Sequence, residues 1–227
     1  NAPAGNGAIA FGVRGPVHTL VGEEPVGTQA LALAAELLHS RAADRCLVVG
    51  TEERNAVIAA AYAQVDRAAR RASTVPPFTS GAAALVLERR ATAEARGARA
   101  LARLVGWGLA RASDPTDEAA VAKAFEEACQ ASGAAAGRAD HVVLPTARHR
   151  SAAQRALREL PAAQVYDLAP RLGNPAGAAN LLQAAASVAL LAAGRHAGPG
   201  LVLAAGVEAT VAAIVLTAAE AEAAWSR

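Results

Sequence analysis

What the chain has little of already narrows the kinds of protein it can be. It holds two cysteines and no methionine, and aromatic residues make up only 3% of its 227 residues. Cys46 and Cys129 are far apart and lack the spacing of a zinc site or a disulfide framework, so a reduced, cytoplasmic compartment is expected. Neither a glycine-rich phosphate loop nor a cluster of metal-ligand residues occurs, and we therefore expect no cofactor or metal.

Long apolar runs and charge of one sign are also missing. The most apolar stretch, residues 176–193, is interrupted by Asn180, Gln183 and Ser187, which favours a buried helix over a membrane span. The 22 basic and 20 acidic residues are interspersed, so we expect no nucleic-acid partner, although local arginines suit a small acidic carrier protein. The chain starts at Asn1 without a signal-peptide pattern, and we expect a processed or shortened N-terminus.

Apolar residues, mostly alanine, are abundant at 53%, and they fall into two similar segments. Alanine favours helices and close packing. Each segment predicts a helix followed by two short apolar strands, at residues 27–38, 46–49 and 82–87 and again at 177–191, 201–203 and 211–216. The repetition predicts two pseudo-symmetric halves, residues 1–112 and 113–227. Chance similarity between two α/β segments is the alternative.

Further elements are predicted between the two segments. A strand is expected near residues 104–107, and the acids of Asp114–Pro115–Thr116–Asp117 predict the start of a helix that ends near Ser132. His141–Leu144 is the next expected strand. A helix over Ser151–Leu160, closed by Pro161, completes the prediction.

Several motifs, in this order and spacing, resemble those of the β-ketoacyl synthases. Gly15-Pro16 through Gly27 is similar to that family's nucleophile region, which has a Gly-Pro pair, a strand, the catalytic cysteine and a helix of small residues. The resemblance continues through Ala43-Asp44, Val48-Val49-Gly50-Thr51-Glu52, Pro77-Phe78, Gly81-Ala82-Ala83-Ala84-Leu85-Val86-Leu87-Glu88 and Leu172-Gly173-Asn174-Pro175-Ala176-Gly177.

This resemblance implies an α/β, thiolase-like fold: two pseudo-symmetric βαβαβ-type halves with helices buried between their sheets. It also implies that the family's opening strand–helix units, which precede Gly15-Pro16, are missing. Either a second polypeptide supplies them or the chain is incomplete. By the same resemblance, a strand formed by Val17, His18, Thr19, Leu20 and Val21 pairs edge to edge across a dimer.

The family's catalytic residues are replaced at the matching positions. The nucleophilic cysteine falls on Glu24, or on Glu23 if the register slips by one, and the two histidines fall on Pro145 and Asn174. A carboxylate cannot accept the acyl group as a thioester, because that step needs a thiolate. Proline carries no titratable proton, and asparagine cannot act as a general base. The family's lysine has no counterpart in residues 166–170.

Loss of all three groups resembles the chain-length factor of type II polyketide synthases, a non-catalytic subunit that pairs with an active ketosynthase and shapes its acyl tunnel. The expected partners are that ketosynthase and an acyl carrier protein. Chain-length factors more often carry Gln where this chain has Glu24, and this departure puts their malonyl-decarboxylase activity in doubt here.

Two other functions stay open. One is an enzyme with altered chemistry, a decarboxylase or hydrolase of acyl-carrier thioesters that uses Glu24 or His149; the other is a relic that only stabilises its partner. For Glu24 the plain interpretation is a first-turn acid favoured by the helix dipole. For Asn174 it is an N-cap, and for His149 a solvated basic loop. His39, His141 and His196 are expected at the periphery.

Overall fold

The computed structural model describes residues 2–68, 75–133, 139–146, 148–159 and 164–220. Its helices are α1 (Ala2–Phe11), α2 (Val26–His39), α3 (Ala56–Ala68), α4 (Arg90–Ala95), α5 (Glu118–Ala131), α6 (Arg150–Ala156), α7 (Ala169–Leu172) and α8 (Ala176–Ala192). Its strands are β1 (Arg45–Glu52), β2 (Gly81–Glu88), β3 (Ala102–Arg111), β4 (His141–Val143), β5 (Gln164–Tyr166), β6 (Gly200–Ala205) and β7 (Thr210–Ala218).

The predicted start of α5 is confirmed at the level of its cap. The carboxylate of Asp117 accepts a hydrogen bond from the backbone N–H of Ala119 at 2.9 Å, which satisfies one of the donors that a helix start leaves open. The predicted helix after His149 is shorter than expected: α6 ends at Ala156 and continues as a 3₁₀ turn, Leu157–Glu159. The expected stop at Leu160 and Pro161 lies outside the described residues.

The described strands form two sheets. The larger has five strands in the order β3-β7-β6-β4-β5, with β4 parallel to both β5 and β6 and with β7 antiparallel to β3 and β6. The smaller is the antiparallel pair β1-β2, in which Arg45 lies opposite Glu88 and Glu52 opposite Gly81. Strand β3 therefore joins the sheet of the second half, because its partner is β7, whereas the division drawn at residue 112 assigns it to the first.

The predicted repeat is confirmed: α2-β1-β2 and α8-β6-β7 are each a helix followed by an antiparallel strand pair. They differ in the connection. A tight turn over residues 206–209 joins β6 to β7, whereas α3, which the sequence reading did not predict, separates β1 from β2. Helix α8 packs between the two sheets and against α2, as the thiolase-like fold requires.

Two apolar clusters hold these layers together. One fills the space between the sheets and includes Leu31, Leu181, Val202 and Ile214. The other packs α5 and α6 on the far side of the large sheet and includes Phe125, Leu144, Leu203 and Val215. Because β6 and β7 are buried on both faces, they carry continuous apolar runs rather than alternation.

The pair β1-β2 is covered on one face only. Its outer face carries Leu47, Val49 and Val86, which are each at least 49% exposed. No described strand pairs with the outer edge of β1 or of β2. The equivalent edges in the second half are covered, that of β6 by β4 and that of β7 by β3.

The expected strand Val17–Val21 forms no strand in the described chain. All five residues are exposed, Val21 to 94%, and none has a ladder partner. A strand is stabilised by hydrogen bonds to a neighbouring strand, and no described strand makes such bonds with this segment. Its edge pairing in a dimer stays a prediction.

Helix α1, just before this segment, was not predicted from the sequence. Among the described residues, no helix combines the length and the apolar composition that a membrane crossing needs.

Gly27 lets α2 and α8 approach closely. A Cβ built there would lie 2.9 Å from the Cβ of Asn180 and 3.0 Å from the backbone N of Leu181. We expect Gly27→Ala to lower the free energy of unfolding by about 1–3 kcal/mol, because it overpacks this crossing. The matched control is Gly7→Ala in α1, where a Cβ meets nothing within 4 Å. Chemical denaturation measures both; an unchanged midpoint in Gly27→Ala would contradict the close packing.

At the start of β4 lies a buried histidine cluster. His141 is fully buried, and its Nε2 lies 2.8 Å from the Oγ of Ser187. Its ring stacks on His196 with centroids 4.5 Å apart, and the hydroxyl of Tyr166 bonds to Nε2 of His196 at 2.9 Å. Burial, and then the neighbouring His196, lower the pKa of His141 from 6.5 to about 4, against the opposing field of Asp140. The prediction that His141 lies at the periphery is therefore wrong, because its side chain is fully buried.

This cluster predicts a loss of stability in acid. Because the pKa of His141 is lower in the folded chain, the unfolded chain binds more protons between about pH 6.5 and pH 4. The free energy of unfolding is therefore greatest above pH 6.5 and loses about 3 kcal/mol as the pH falls to 4. Denaturation curves recorded at several pH values give the free energy of unfolding at each pH. This free energy should depend less steeply on pH in His141→Gln than in the wild type, whereas His39→Gln, at an exposed position, should keep the wild-type pH dependence.

Candidate functional site

Loops from both halves converge where β1, β4 and β6 end and where α2 and α8 begin. Three glutamates lie there, and each accepts a hydrogen bond from a backbone N–H that is distant in the sequence. Glu24 accepts from Thr146, Glu52 from Gly177, and Glu23 from Val207. Gly177 lies in the first turn of α8, where backbone amides favour an anion, whereas Thr146 and Val207 donate from loops.

Glu24 is the most buried of the three, at 2% exposed, and it directly precedes Pro25 at the start of α2. Its Oε1 accepts from the N–H of Thr146 at 2.7 Å and from Nε2 of Gln183 at 2.7 Å. The same amide of Gln183 also donates to the carbonyl of Leu144 at 2.7 Å. One oxygen of the carboxylate thus accepts two hydrogen bonds from the second half of the chain. A favourable interaction with the helix dipole does not by itself account for these bonds.

A chain of buried side chains extends this contact along α8. Asn180 donates from Nδ2 to Oε1 of Gln183 at 3.2 Å, and Thr28 of α2 donates from Oγ1 to Oδ1 of Asn180 at 2.7 Å. All three are 0% exposed. Sequence reading noted Asn180 and Gln183 only as breaks in an apolar run. Their spacing of three residues on a buried helix was the available signal for a shared polar face.

A second group packs around Tyr62 of α3. The guanidinium carbon of Arg148 lies 5.1 Å from the centroid of the Tyr62 ring. The ring of Phe78 stacks on the Tyr62 ring with the two centroids 5.2 Å apart. Burial first, and then the charge of Glu23, raise the pKa of Tyr62 to about 12; Arg148 opposes the shift and Glu52 adds to it. Arg148 is only 4% exposed, so a buried cation accompanies the three acids. Neither Tyr62 nor Arg148 was singled out from the sequence.

The other predicted positions fall around this region. Pro145 is buried next to Thr146, so its loop is in contact with Glu24. Asn174 is 2% exposed, and its Oδ1 accepts from the N–H of Ala176 at 3.1 Å, close to the N-cap role expected for it. It is tied to the Tyr62 group through a backbone bridge with Phe78. His149 precedes α6 in a left-handed conformation, φ 56°; the residue is half-buried and its Nε2 is buried.

The two cysteines are not placed as nucleophiles. Sγ of Cys46 donates to the carbonyl of Ala34 at 3.7 Å, and burial raises its pKa. Cys129 lies in α5, where burial and the nearby Glu126 raise its pKa to about 12. A high pKa keeps the thiol protonated and therefore unreactive. In the part of the chain that the structure describes, no three His, Cys, Asp or Glu side chains are grouped to hold a metal ion.

Comparison with solved structures identifies the architecture. The ishigamide ketosynthase/chain length factor matches with a TM-score of 0.76 and 26% identity over 96% of this chain. The chain is a ketosynthase-like protein of the thiolase fold. Two further structures show the same fold at lower identity, a β-ketoacyl synthase from Burkholderia phymatum (TM-score 0.78, 19%) and the AntDE:AntF complex (TM-score 0.76, 17%), each over 96% of this chain. The last is described as a type II PKS acyl-carrier protein in complex with its ketosynthase bound to the hexaketide.

This ketosynthase-like chain spans 61% of the ishigamide protein, 65% of the Burkholderia protein and 66% of the AntDE:AntF chain. No family model matches its sequence, and a search of curated proteins finds no match. The resemblance read from its motifs is therefore confirmed by structure rather than by overall sequence similarity. The identities of the catalytic positions, Glu24, Pro145 and Asn174, rest on the motif alignment and stay predictions.

The bonds of Glu24 predict a large effect of its removal. In Glu24→Ala the N–H of Thr146 and the amide of Gln183 lose their shared acceptor inside the protein, at a cost of about 3 kcal/mol and a fall in Tm of about 6–12 °C. Glu24→Gln keeps an oxygen that can accept both bonds, and we expect it to lose less than half as much. Calorimetry measures both; equal losses in the two variants would mean that these bonds do not stabilise the fold.

Proposed function

We propose that this chain is a non-catalytic, chain-length-factor-like subunit that pairs with an active ketosynthase and shapes its acyl tunnel during polyketide or fatty-acid-type chain elongation. The observation that carries the proposal is the state of Glu24. Where the motif alignment expects a reactive sulfur at the start of α2, the chain holds a carboxylate, buried and bound to an amide N–H and to Gln183. A group held in this way has neither the nucleophilicity nor the exposure that acyl transfer needs.

Two of the related structures support a proposal about partners. One of them is named as a ketosynthase/chain length factor, and another holds an acyl-carrier protein with its ketosynthase. We propose the same two kinds of partner here: an active ketosynthase in a heterodimer, and an acyl carrier protein that delivers the growing chain. The exposed segment Val17–Val21, with Val17 at 52% and Leu20 at 41% exposed, is the proposed dimer contact, because pairing would bury these side chains and satisfy the backbone.

The first half offers a further surface for assembly. The outer face and both outer edges of β1-β2 are uncovered by described residues, whereas the equivalent parts of β6-β7 are covered by β3, β4, α5 and α6. We propose that a polypeptide segment outside these 227 residues, with strands and helices like those of the second half, covers them. An apolar sheet face with free edges is otherwise prone to aggregation.

Altered chemistry at Glu24 or His149 is the alternative. Burial of Glu24 to 2% exposure favours the non-catalytic proposal, since a general base must reach its substrate. His149 is half-buried in a left-handed turn before α6, and its Nε2 is buried, which also favours the non-catalytic proposal.

Co-expression with a ketosynthase from the same gene cluster separates the two functions. We expect the chain to purify as a heterodimer whose condensing activity is lost when the partner's nucleophilic cysteine is replaced, and is kept within about two-fold in Glu24→Gln of this chain. Glu24→Cys should not create a second condensing site, because Pro145 and Asn174 stand at the two histidine positions. Product and thioester assays by mass spectrometry measure this.

The opposite outcome is equally concrete. If the chain purifies alone and turns over malonyl- or acyl-carrier thioesters, and Glu24→Gln or His149→Gln abolishes this turnover, the chain is an enzyme in its own right. Proper folding of each variant is checked by its Tm, so that a loss of turnover is not mistaken for a loss of fold.

A further inference from the structure

The carboxylate of Glu23 lies among donors that come from separate parts of the chain. The N–H of Val207, in the turn between β6 and β7, donates to its Oε2, and the hydroxyl of Tyr62 in α3 is hydrogen-bonded to the same side chain. Gly206 makes room for it, since a Cβ at that position would lie 2.7 Å from Oε2 of Glu23. The absence of a side chain at Gly206 therefore leaves the room that the Glu23 carboxylate occupies.

Arg148 adds positive charge beside this carboxylate. Its guanidinium lies over the Tyr62 ring, and it acts electrostatically on the Tyr62 hydroxyl in opposition to Glu23. The N–H of Val207 and the hydroxyl of Tyr62 are the donors that contact Glu23, and the nearby guanidinium adds positive charge that favours a carboxylate. We use the word cradle below for Val207 N–H, Tyr62, Arg148 and Gly206.

The parts of the cradle are held in place independently of Glu23. The turn at Gly206 is closed by its own backbone bonds, from Gly206 to Thr210 at 2.9 Å and from Ala209 to Gly206 at 3.1 Å. The ring of Tyr62 is in contact with both Phe78 and Arg148. The donors are thus preorganised, and removing one carboxylate side chain does not remove them.

Glu23 differs from its neighbour in how firmly it is enclosed. Glu24 is 2% exposed, whereas Glu23 is half-buried and follows an exposed segment, residues 12–22. A partly exposed side chain at the end of such a segment can leave its place without opening the core, which is not true of Glu24.

We propose that the cradle is a binding site for a small carboxylate, which Glu23 occupies as an internal plug, and that a free carboxylate of the acetate or malonate class takes this place when the plug is removed. While Glu23 is in place, the site is closed to the carboxylate end of any ligand. The proposal does not depend on the pairing proposed above, because it concerns binding to this chain alone.

Chemical rescue tests the proposal. In Glu23→Ala, we expect the Tm to fall by about 5 °C, because the charged acceptor of Val207 and Tyr62 is lost. Sodium acetate should restore most of that loss in a saturable manner, whereas sodium chloride at the same ionic strength should not. The matched control is Glu53→Ala, at an exposed position in the next loop, which should show neither the loss nor the rescue.

A second measurement reports on the site directly and also serves if Glu23→Ala folds poorly. The chain has only two tyrosines, so ¹³C-tyrosine labelling gives one signal for Tyr62 and an internal reference from Tyr166, which bonds to His196. In Glu23→Ala or Glu23→Ser, both of which vacate the cradle, acetate should shift the Tyr62 signal saturably and leave Tyr166 unchanged. The wild type should need at least ten-fold more acetate for the same shift.

The proposal is overturned if acetate has no saturable effect beyond that of chloride in both Glu23 variants. It is equally overturned if Glu53→Ala responds to acetate as strongly as Glu23→Ala does. Replacing Tyr62 by Phe in the Glu23→Ala background should weaken the rescue at least three-fold, since one of the proposed donors is then absent; an unchanged rescue would place the acetate elsewhere.

Discussion

The bond between Glu24 and the backbone N–H of Thr146 joins the two halves of the chain at their most buried point. Gln183 reinforces it from α8 and ties in the end of β4, and Asn180 carries the connection on to Thr28 in α2. Because each of these polar groups is buried, each must be paired, and the pairs fix how the helix of one half lies against the sheet of the other. Polar partners specify this arrangement more narrowly than the surrounding small apolar residues do.

An acyl-transferring enzyme needs an exposed nucleophile and a nearby base at its active site. Here the end of the fold at which these residues meet holds acids that each accept a backbone N–H, a buried arginine and a stacked aromatic pair. Donors directed into the site are thus satisfied by the chain's own carboxylates. This filled arrangement supports the non-catalytic role proposed above.

The two halves are unequal in how completely they are covered. In the second half both faces of β6 and β7 are buried, which gives strands that are apolar throughout. In the first half β1 and β2 alternate between partly buried and exposed positions, because among the described elements α2 and α8 cover one face of them. The chain spans 61% of one related structure and 66% of another, and the uncovered surfaces are those on which the polypeptide segment proposed above would pack.

Local residue patterns were enough to predict the repeat of helix, strand and strand, the cap of α5 at Asp117 and the ketosynthase-like fold, since these depend on apolar periodicity, capping chemistry and short motifs. Helices α1 and α3 escaped prediction, because alanine-rich and mixed polar segments carry weak periodic signals, and the segment 17–21 needs a neighbouring strand to form one. The sequence by itself determined that Glu24 cannot be a thiol nucleophile. Only the tertiary structure decided that its carboxylate bonds to Thr146 and Gln183, 122 and 159 residues away, because such distant pairings follow from how layers pack and leave no trace in local sequence.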